Sequence, residues 1–322
     1  MTNKMKKVVV IGGGSGSSVA LMGLKNYDLD ITAIVTMFDS GGSTGILRDE
    51  FGYPSFGDIR QCLLALSSDK NEKISALKKV LDFRFDSDSS LKGHSVGNLI
   101  MAALTTENGN IQAAIDKISD ILLVDGKVTP VTLDDANLCA KLLNGEIIYS
   151  ESSIDLRQSN LPGIDELFLD KNVVANPDAT ESIKNADAIL LGPGDLYTSI
   201  IPNLLIDDIS IALRDCSAPI IFACNLMTKY GETYEYPSSK FSSEVVRYLR
   251  GRKIDYFLVN SKEFPQLIID NYKLEKAKPV IYDRNEILQY CNNIIHDDFA
   301  FIEAKKVRHD SEKLSAFVIS KL

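Results

Sequence analysis

The chain has 322 residues, 45% hydrophobic and 25% charged, with a formal net charge of −9. This is globular composition, long enough to bury a large core as one domain or two, and an acidic chain without a dense basic stripe argues against nucleic-acid binding. Five scattered cysteines with no C-x-x-C pair indicate neither a disulfide framework nor a zinc site, no stretch is long and apolar enough to span a bilayer, and a reducing cytoplasm fits.

The opening stretch KKVVVIG, at 6–12, is a continuous apolar run ending in glycine and reads as a strand buried on both faces. Val19, Leu21, Met22 and Leu24 give helical spacing over 17–27, and DITAIVTMF at 30–38 is a second buried strand. Strand, glycine turn, helix and strand make a βαβ unit. Between Met37 and Arg60 the chain holds more glycines, acids and arginines than a connecting loop needs, and a helix begins near Asp58. From Asn71 to Leu143 the pattern predicts helices over 72–85, 95–106, 110–123 and 133–145, the last with acids in its first turn and a stop at Gly145. Residues 146–174 read as short strands and turns, including 146–154, 165–170 and 171–175, and 176–186 as a short helix with Pro177 near its start. Alternation then resumes: a strand at 187–192, a glycine turn, a helix through 203–216, a strand at 219–227, a helix at 238–251 and a strand at 254–261. A further strand fits 278–283, and 311–322 has helical periodicity that a final strand would also satisfy. The predicted fold class is α/β: a Rossmann-like, mainly parallel sheet flanked by helices, with a helical insertion at about 71–145 and a small antiparallel element. All of it fits a single domain over 1–322, with a region from about 262 onward that carries no recognised motif.

The glycine turns concentrate the chemistry. Gly12, Gly13, Gly14, Ser15 and Gly16 end the first strand and open the first helix. They let the backbone turn tightly and a ligand approach with no Cβ in the way, while the helix start points unpaired N–H groups at an anion. Gly12 and Gly14 satisfy G-x-G-x-x-G, with Ser17 at the third glycine position; a tight turn without a ligand is the alternative. Asp39 lies near the place where an acid binds ribose hydroxyls in a dinucleotide fold, but SGGSTG follows it. Gly41, Gly42, Ser43 and Thr44 form a second turn facing the same crevice, with two hydroxyls able to donate to phosphate and no lysine in Walker A spacing. GGSTG also matches a nucleophile elbow formally, although Asp39 and Ser40 separate it from the strand and His296 and His309 sit in polar tail contexts.

Asp58 and Arg60 read either as an N-cap aspartate with an arginine paired on the first turn, or, with Asp39, as carboxylates holding Mg²⁺ through water beside substrate phosphates. His94 stands between two glycines at a helix start with Asn98 one turn on; together with Lys92 it would suit a phosphate, and a structural histidine is the alternative. Late in the chain Gly192 and Gly194 free the backbone around Asp195, Tyr197, Thr198 and Ser199, which either cap the next helix or bind a phosphate. Asn225 and Thr228 end another strand at the same edge.

VVIGGGSGSSV, DITAIVTMFDSGGSTGILRDE, GDIRQCLLAL, KGHSVGNLIMAALT, VTPVTLDDANLCA, ADAILLGPGDLYTSIIPNLL and CNLMTKYGET together resemble the YvcK family of gluconeogenesis factors. That family is related to the 2-phospho-L-lactate transferases (CofD) of deazaflavin coenzyme synthesis. The match runs from about Lys6 to about Ser261. The resemblance implies a Rossmann-like core, a cytoplasmic bacterial protein, a homodimer, and a nucleotide ligand, with UDP-sugars such as UDP-N-acetylglucosamine leading. It implies a regulatory part in cell-wall and cell-shape control during growth on gluconeogenic carbon sources. The alternative is a transferase of phosphorus-containing groups: the transferase relatives use Mg²⁺ and an aspartate at the place of Asp39. There Asp39 would bind the metal or orient the acceptor hydroxyl, Asp58 complete the metal shell and His94 stabilise phosphate charge. Two departures stand out. Many relatives carry two acids where this chain has Asp39 and Ser40, and many have GPGSLYTS where this chain has Asp195.

Overall fold

The computed structural model describes residues 5–53, 55–69, 71–86, 89–159 and 161–322. Three strands come first: β1 (Lys6–Gly12), β2 (Leu29–Val35) and β3 (Lys127–Pro130). A small sheet follows, made of β4 (Leu138–Leu142), β5 (Ile147–Tyr149) and β6 (Ile164–Leu169). Then come β7 (Ala188–Leu191), β8 (Ile220–Ala223), β9 (Ile254–Asn260) and β10 (Cys291–Asp297), and last a hairpin of β11 (Ala300–Glu303) and β12 (Lys306–His309).

The main sheet has seven strands in the order β10-β9-β8-β7-β1-β2-β3, and its pairings are parallel. Val8 to Ile11 are at most 2% exposed, as expected for a β-branched run covered by helices on both faces. The chain winds outward from β1 through β2 to β3, then returns to the other flank of β1 as β7 and winds outward again to β10. This reversal opens a crevice at the carboxyl ends of β1 and β7, where Ile11 lies beside Leu191. The helices Glu72–Asp82, Val96–Asn108 and Ile111–Leu122 lie between β2 and β3 in the chain, as their periodicity predicts.

Several expectations need correction. Residues 133–145 are not a helix: Leu138, Cys139 and Ala140 are fully buried in β4, the central strand of the small antiparallel sheet. Its acids serve tertiary contacts instead. Asp134 Oδ2 accepts from the Val174 N–H at 2.8 Å, and Asp135 pairs with Arg48 at 2.6 Å. The segment 171–175 is not a strand; Ala175 makes one bridge to Thr132. Residues 278–283 likewise make isolated bridges rather than a strand. The helix expected through 203–216 is broken: a wide π turn over Leu196–Ile200 and a short helix Ile201–Leu204 meet Asp207–Asp215 at 80°. The glycine turn after Asp39 continues into an unforeseen helix, Gly42–Phe51. The tail forms the helix Ser311–Ile319, capped by the Asp310 carboxylate, and a Cβ on Gly23 would lie 2.3 Å from Ser311 O. No single helix among the described residues is long and apolar enough to cross a membrane.

Candidate functional site

The two turns at the switch point interlock through missing side chains. A Cβ on Gly16 would lie 2.1 Å from the Pro193 carbonyl oxygen, and one on Gly13 would lie 2.7 Å from Ser199 Oγ. The same Gly13 Cβ would be 3.0 Å from Asp58 Oδ2, and one on Gly14 2.7 Å from Asp58 Cα. Three segments distant in the chain therefore touch where any side chain would force them apart. Asn203, fully buried beneath them, donates from Nδ2 to Ser199 O at 2.8 Å and lies 3.4 Å from Gly12 O.

Asp39 follows β2, and its Oδ1 accepts from the Gly41 N–H at 2.8 Å. Asp58 sits in the first turn of the helix Gly57–Leu66, but Phe56 holds the cap position, so the expected Asp58 N-cap is not formed. Its carboxylate accepts from the Gly14 N–H instead. Burial first, then the Asp39 charge, push the Asp58 carboxyl up to about 7, against the pull of Gly14 N–H and Arg60. Arg60 does not pair with Asp58. Its guanidinium is buried in the helical layer, bonded to Asn98 Oδ1 at 3.1 Å and to Asp82 at 2.5 Å. Arg60 and Asn98 thus brace one another rather than face the crevice.

A third carboxylate joins from far along the chain. Glu151, 9% exposed, accepts from the Ser40 N–H at 3.2 Å. Burial and the Asp39 charge raise its carboxyl to about 8. Asp39, Asp58 and Glu151 form no ion pair among the described residues. The Asp39 charge acts on both Asp58 and Glu151, and carboxylates without a counter-ion are donors a hard divalent cation takes, so they fit Mg²⁺ held through water. Their oxygens do not gather as a direct cage: among the described residues the acids whose oxygens all lie within 4.8 Å of one another are Asp155, Asp195 and Glu232.

The next cluster along the edge is balanced from within. Lys229 Nζ lies 2.8 Å from both Asp195 Oδ2 and Glu232 Oε1 and also bonds Asp155. Burial pulls the Lys229 ammonium down, but Glu232, Asp195 and Asp155 outweigh it and hold its pKa above the usual lysine value. Burial pushes the Glu232 carboxyl up to about 7 despite Lys229. Glu232 also receives the Tyr197 N–H and the Thr198 hydroxyl, each at 3.4 Å. The Tyr197 ring is buried and its hydroxyl meets Tyr236, so its side chain belongs to the core.

Ser43 Oγ and His94 Nδ1 are 2.8 Å apart and both buried, which links the second glycine turn to the His94 helix start. Gly42 takes φ +46° where that turn enters its helix. A Cβ on Gly57 would lie 3.1 Å from Thr44 Oγ1 and 3.3 Å from Asp39 Oδ2, so Thr44 and Asp39 share one wall. Thr228 is spent on the backbone, its hydroxyl accepting from Lys278 N at 3.0 Å. Asn225 donates to Gly194 O at 2.9 Å, and its buried Oδ1 has no partner among the described residues.

A cleft of ≈ 290 Å³ collects Gly14, Ser15, Gly16, Asp58, Gly194, Asp195, Ser199 and Asn225. Part of its remaining wall, Tyr272, Val307, Arg308 and His309, comes from the last sixty or so residues, which carried no readable motif. Burial drives His309 down to about 4, so the ring is neutral, and Nε2 bonds the Cys224 carbonyl at 3.0 Å. That bond pins the β11–β12 hairpin over the end of β8.

The family described as 2-phospho-L-lactate transferase CofD matches residues 8–300. The chain belongs to the CofD family. Within it, this chain is 43% identical over 98% of its length to a Thermoanaerobacterium thermosulfurigenes protein, 97% covered, provisionally named a gluconeogenesis factor. It is 36% identical to the gluconeogenesis factor of Bacillus subtilis, over 98% of each chain. The crystal structure of protein BH3568 from Bacillus halodurans superposes with a TM-score of 0.92 at 36% identity, covering 98% of this chain and 100% of that one. Both departures noted in the resemblance to the YvcK family now have a physical account. Ser40 stands where many relatives have a second acid, and its N–H and hydroxyl hold Glu151 and Ser152, bringing a carboxylate in from another segment. Asp195 stands where many have serine, and Lys229 neutralises it.

Proposed function

We propose that this CofD-family protein is a nucleotide-sugar-binding regulator of the gluconeogenesis-factor type. It takes a UDP-sugar at the switch-point cleft and acts in cell-wall and cell-shape control during growth on gluconeogenic carbon, in the cytoplasm and as a homodimer. The observation that carries the reading is the contact of two glycine turns across the β1/β7 reversal, with the Gly16 and Pro193 backbones too close for any side chain. Backbone N–H groups at Ser15 and Gly16 and the hydroxyl of Ser199 suit a diphosphate there. Arg308 adds positive charge at the rim. Asp39, Asp58 and Glu151 would hold Mg²⁺, which neutralises a diphosphate's charge when bound. Isothermal calorimetry with UDP-N-acetylglucosamine tests the reading: saturable binding that strengthens with Mg²⁺ is expected, and no heat at millimolar ligand, with or without Mg²⁺, removes it.

A second reading, a Mg²⁺-dependent transferase of phosphorus-containing groups, draws support from Asp58. Its carboxyl titrates at about 7 beside Asp39, which suits a group that accepts a proton from an acceptor hydroxyl. On that reading Asp39→Asn abolishes turnover while donor binding stays measurable; unchanged turnover rejects it.

A further inference from the structure

A second cavity of ≈ 640 Å³ opens between the first helix and the β11–β12 hairpin. It shares Ser15, Val19, Arg308 and His309 with the cleft, so the two spaces continue into one another past the start of that helix. Its size is within the range of about 300–1,000 Å³ common for small-ligand sites. Resting on the reading of the cleft as a diphosphate site, we infer that this cavity is the sugar subsite, taking the pyranose of a nucleotide-sugar rather than its base.

The chemistry of the walls decides between the two ends of such a ligand. Glu303 and Glu312 line the cavity, are exposed, and have no side-chain partner among the described residues. An ionised carboxylate only accepts hydrogen bonds. A pyranose offers several O–H donors, whereas the uracil edge presents two carbonyl acceptors and a single N–H, so carboxylate walls favour the sugar and repel the base. Gln61 stands at the junction, its Oε1 receiving the Ser15 hydroxyl at 2.9 Å, and its amide NH₂, unpartnered among the described residues, can donate to a glycosidic or ring oxygen. Phe301 is 51% exposed, and its ring has no aromatic partner among the described residues; Met22 beside the same space is 45% exposed. Together they provide an apolar surface matched to the C–H face of a sugar ring. The sugar is also one bond from the diphosphate, and this cavity adjoins the glycine turn that would hold that diphosphate.

Calorimetry on the full chain with Mg²⁺ tests the assignment by titrating UDP-N-acetylglucosamine and UDP into the wild type, Glu303→Gln and Phe301→Ala, with thermal unfolding to verify that each variant is folded. Each variant is expected to lose about tenfold in affinity for the sugar nucleotide, or about 1.4 kcal/mol, and to keep UDP binding within about twofold. Equal losses for both ligands would put the shared nucleotide in this cavity and overturn the inference. So would two variants that bind the sugar nucleotide as the wild type does, or a wild type that binds it no tighter than UDP; in those cases the cleft reading survives. A wild type that binds neither ligand removes the cleft reading and this one with it.

Discussion

Two groups of carboxylates line the same sheet edge, and they solve the problem of mutual repulsion differently. Asp155, Asp195 and Glu232 surround the Lys229 ammonium, so that group is closed electrostatically by the chain itself. Asp39, Asp58 and Glu151 have no such counter-ion among the described residues; burial and the Asp39 charge raise Asp58 to about 7 and Glu151 to about 8. A set that carries its own cation is architecture. A set left without one stays in tension until a proton or an external cation joins it, and through Asp58 this set reaches the cleft where the glycine turns meet.

Removing the internal cation is the most severe way to break this contrast. Lys229→Met keeps the aliphatic stem and leaves three carboxylates facing one another, with the Glu232 side chain only 1% exposed. The expected cost at pH 7.5 is about 3 kcal/mol by urea denaturation, at the low end for a broken buried pair because Lys229 and Asp195 reach solvent. The loss should shrink toward pH 5, where Glu232, pushed up to about 7, takes a proton. A variant as stable as the wild type at pH 7.5 would erase the distinction between the two groups. Gly16→Ala acts next, by separating the turns. Its Cβ would meet a backbone carbonyl rather than a movable side chain. Overpacking should cost about 2 kcal/mol and weaken UDP-N-acetylglucosamine binding at least about tenfold; full binding by this variant would show that the close approach is dispensable.

The smallest effect sharpens the contrast through pH. Asp58 rises from 3.8 to about 7 on folding and Glu151 from 4.5 to about 8. The folded chain therefore binds these protons more tightly than the unfolded one. Stability from this group is fully present below the unfolded values and is lost as pH climbs through 7 and 8. Mg²⁺ should restore it at pH 8. Asp58→Asn should gain about 1 kcal/mol in EDTA at pH 8, about 2 °C in Tm, lose that gain near pH 4, and no longer respond to Mg²⁺. A wild-type Tm flat from pH 5 to 8 and indifferent to Mg²⁺ would count against an external cation.

Local pattern carried the strands β1, β2, β7, β8 and β9, because a strand buried on both faces must be apolar throughout. It misread 133–145, where Asp134 and Asp135 resemble a helix start but are committed to Val174 and Arg48. Both the helical and the β4 readings bury the same leucines, so periodicity over so short a run cannot separate them. The candidate site was legible where backbone shape is required, at Gly12 to Gly16 and Gly192 to Gly194. It was illegible where a lone acid arrives from elsewhere: nothing in SESS marks Glu151 as the partner of Ser40, 111 residues away.

Glycines at strand ends and unbroken apolar runs are local necessities, so the order of residues alone determined that this chain would fold as α/β with glycine turns at its strand ends. Which turns meet, which carboxylates are left without a counter-ion and what roofs the cleft depend on the order β10-β9-β8-β7-β1-β2-β3 and on the hairpin pinned by His309. These are contacts between segments tens to hundreds of residues apart. Their energies exist only once the sheet has brought the segments together, and for that reason only the tertiary structure decided them.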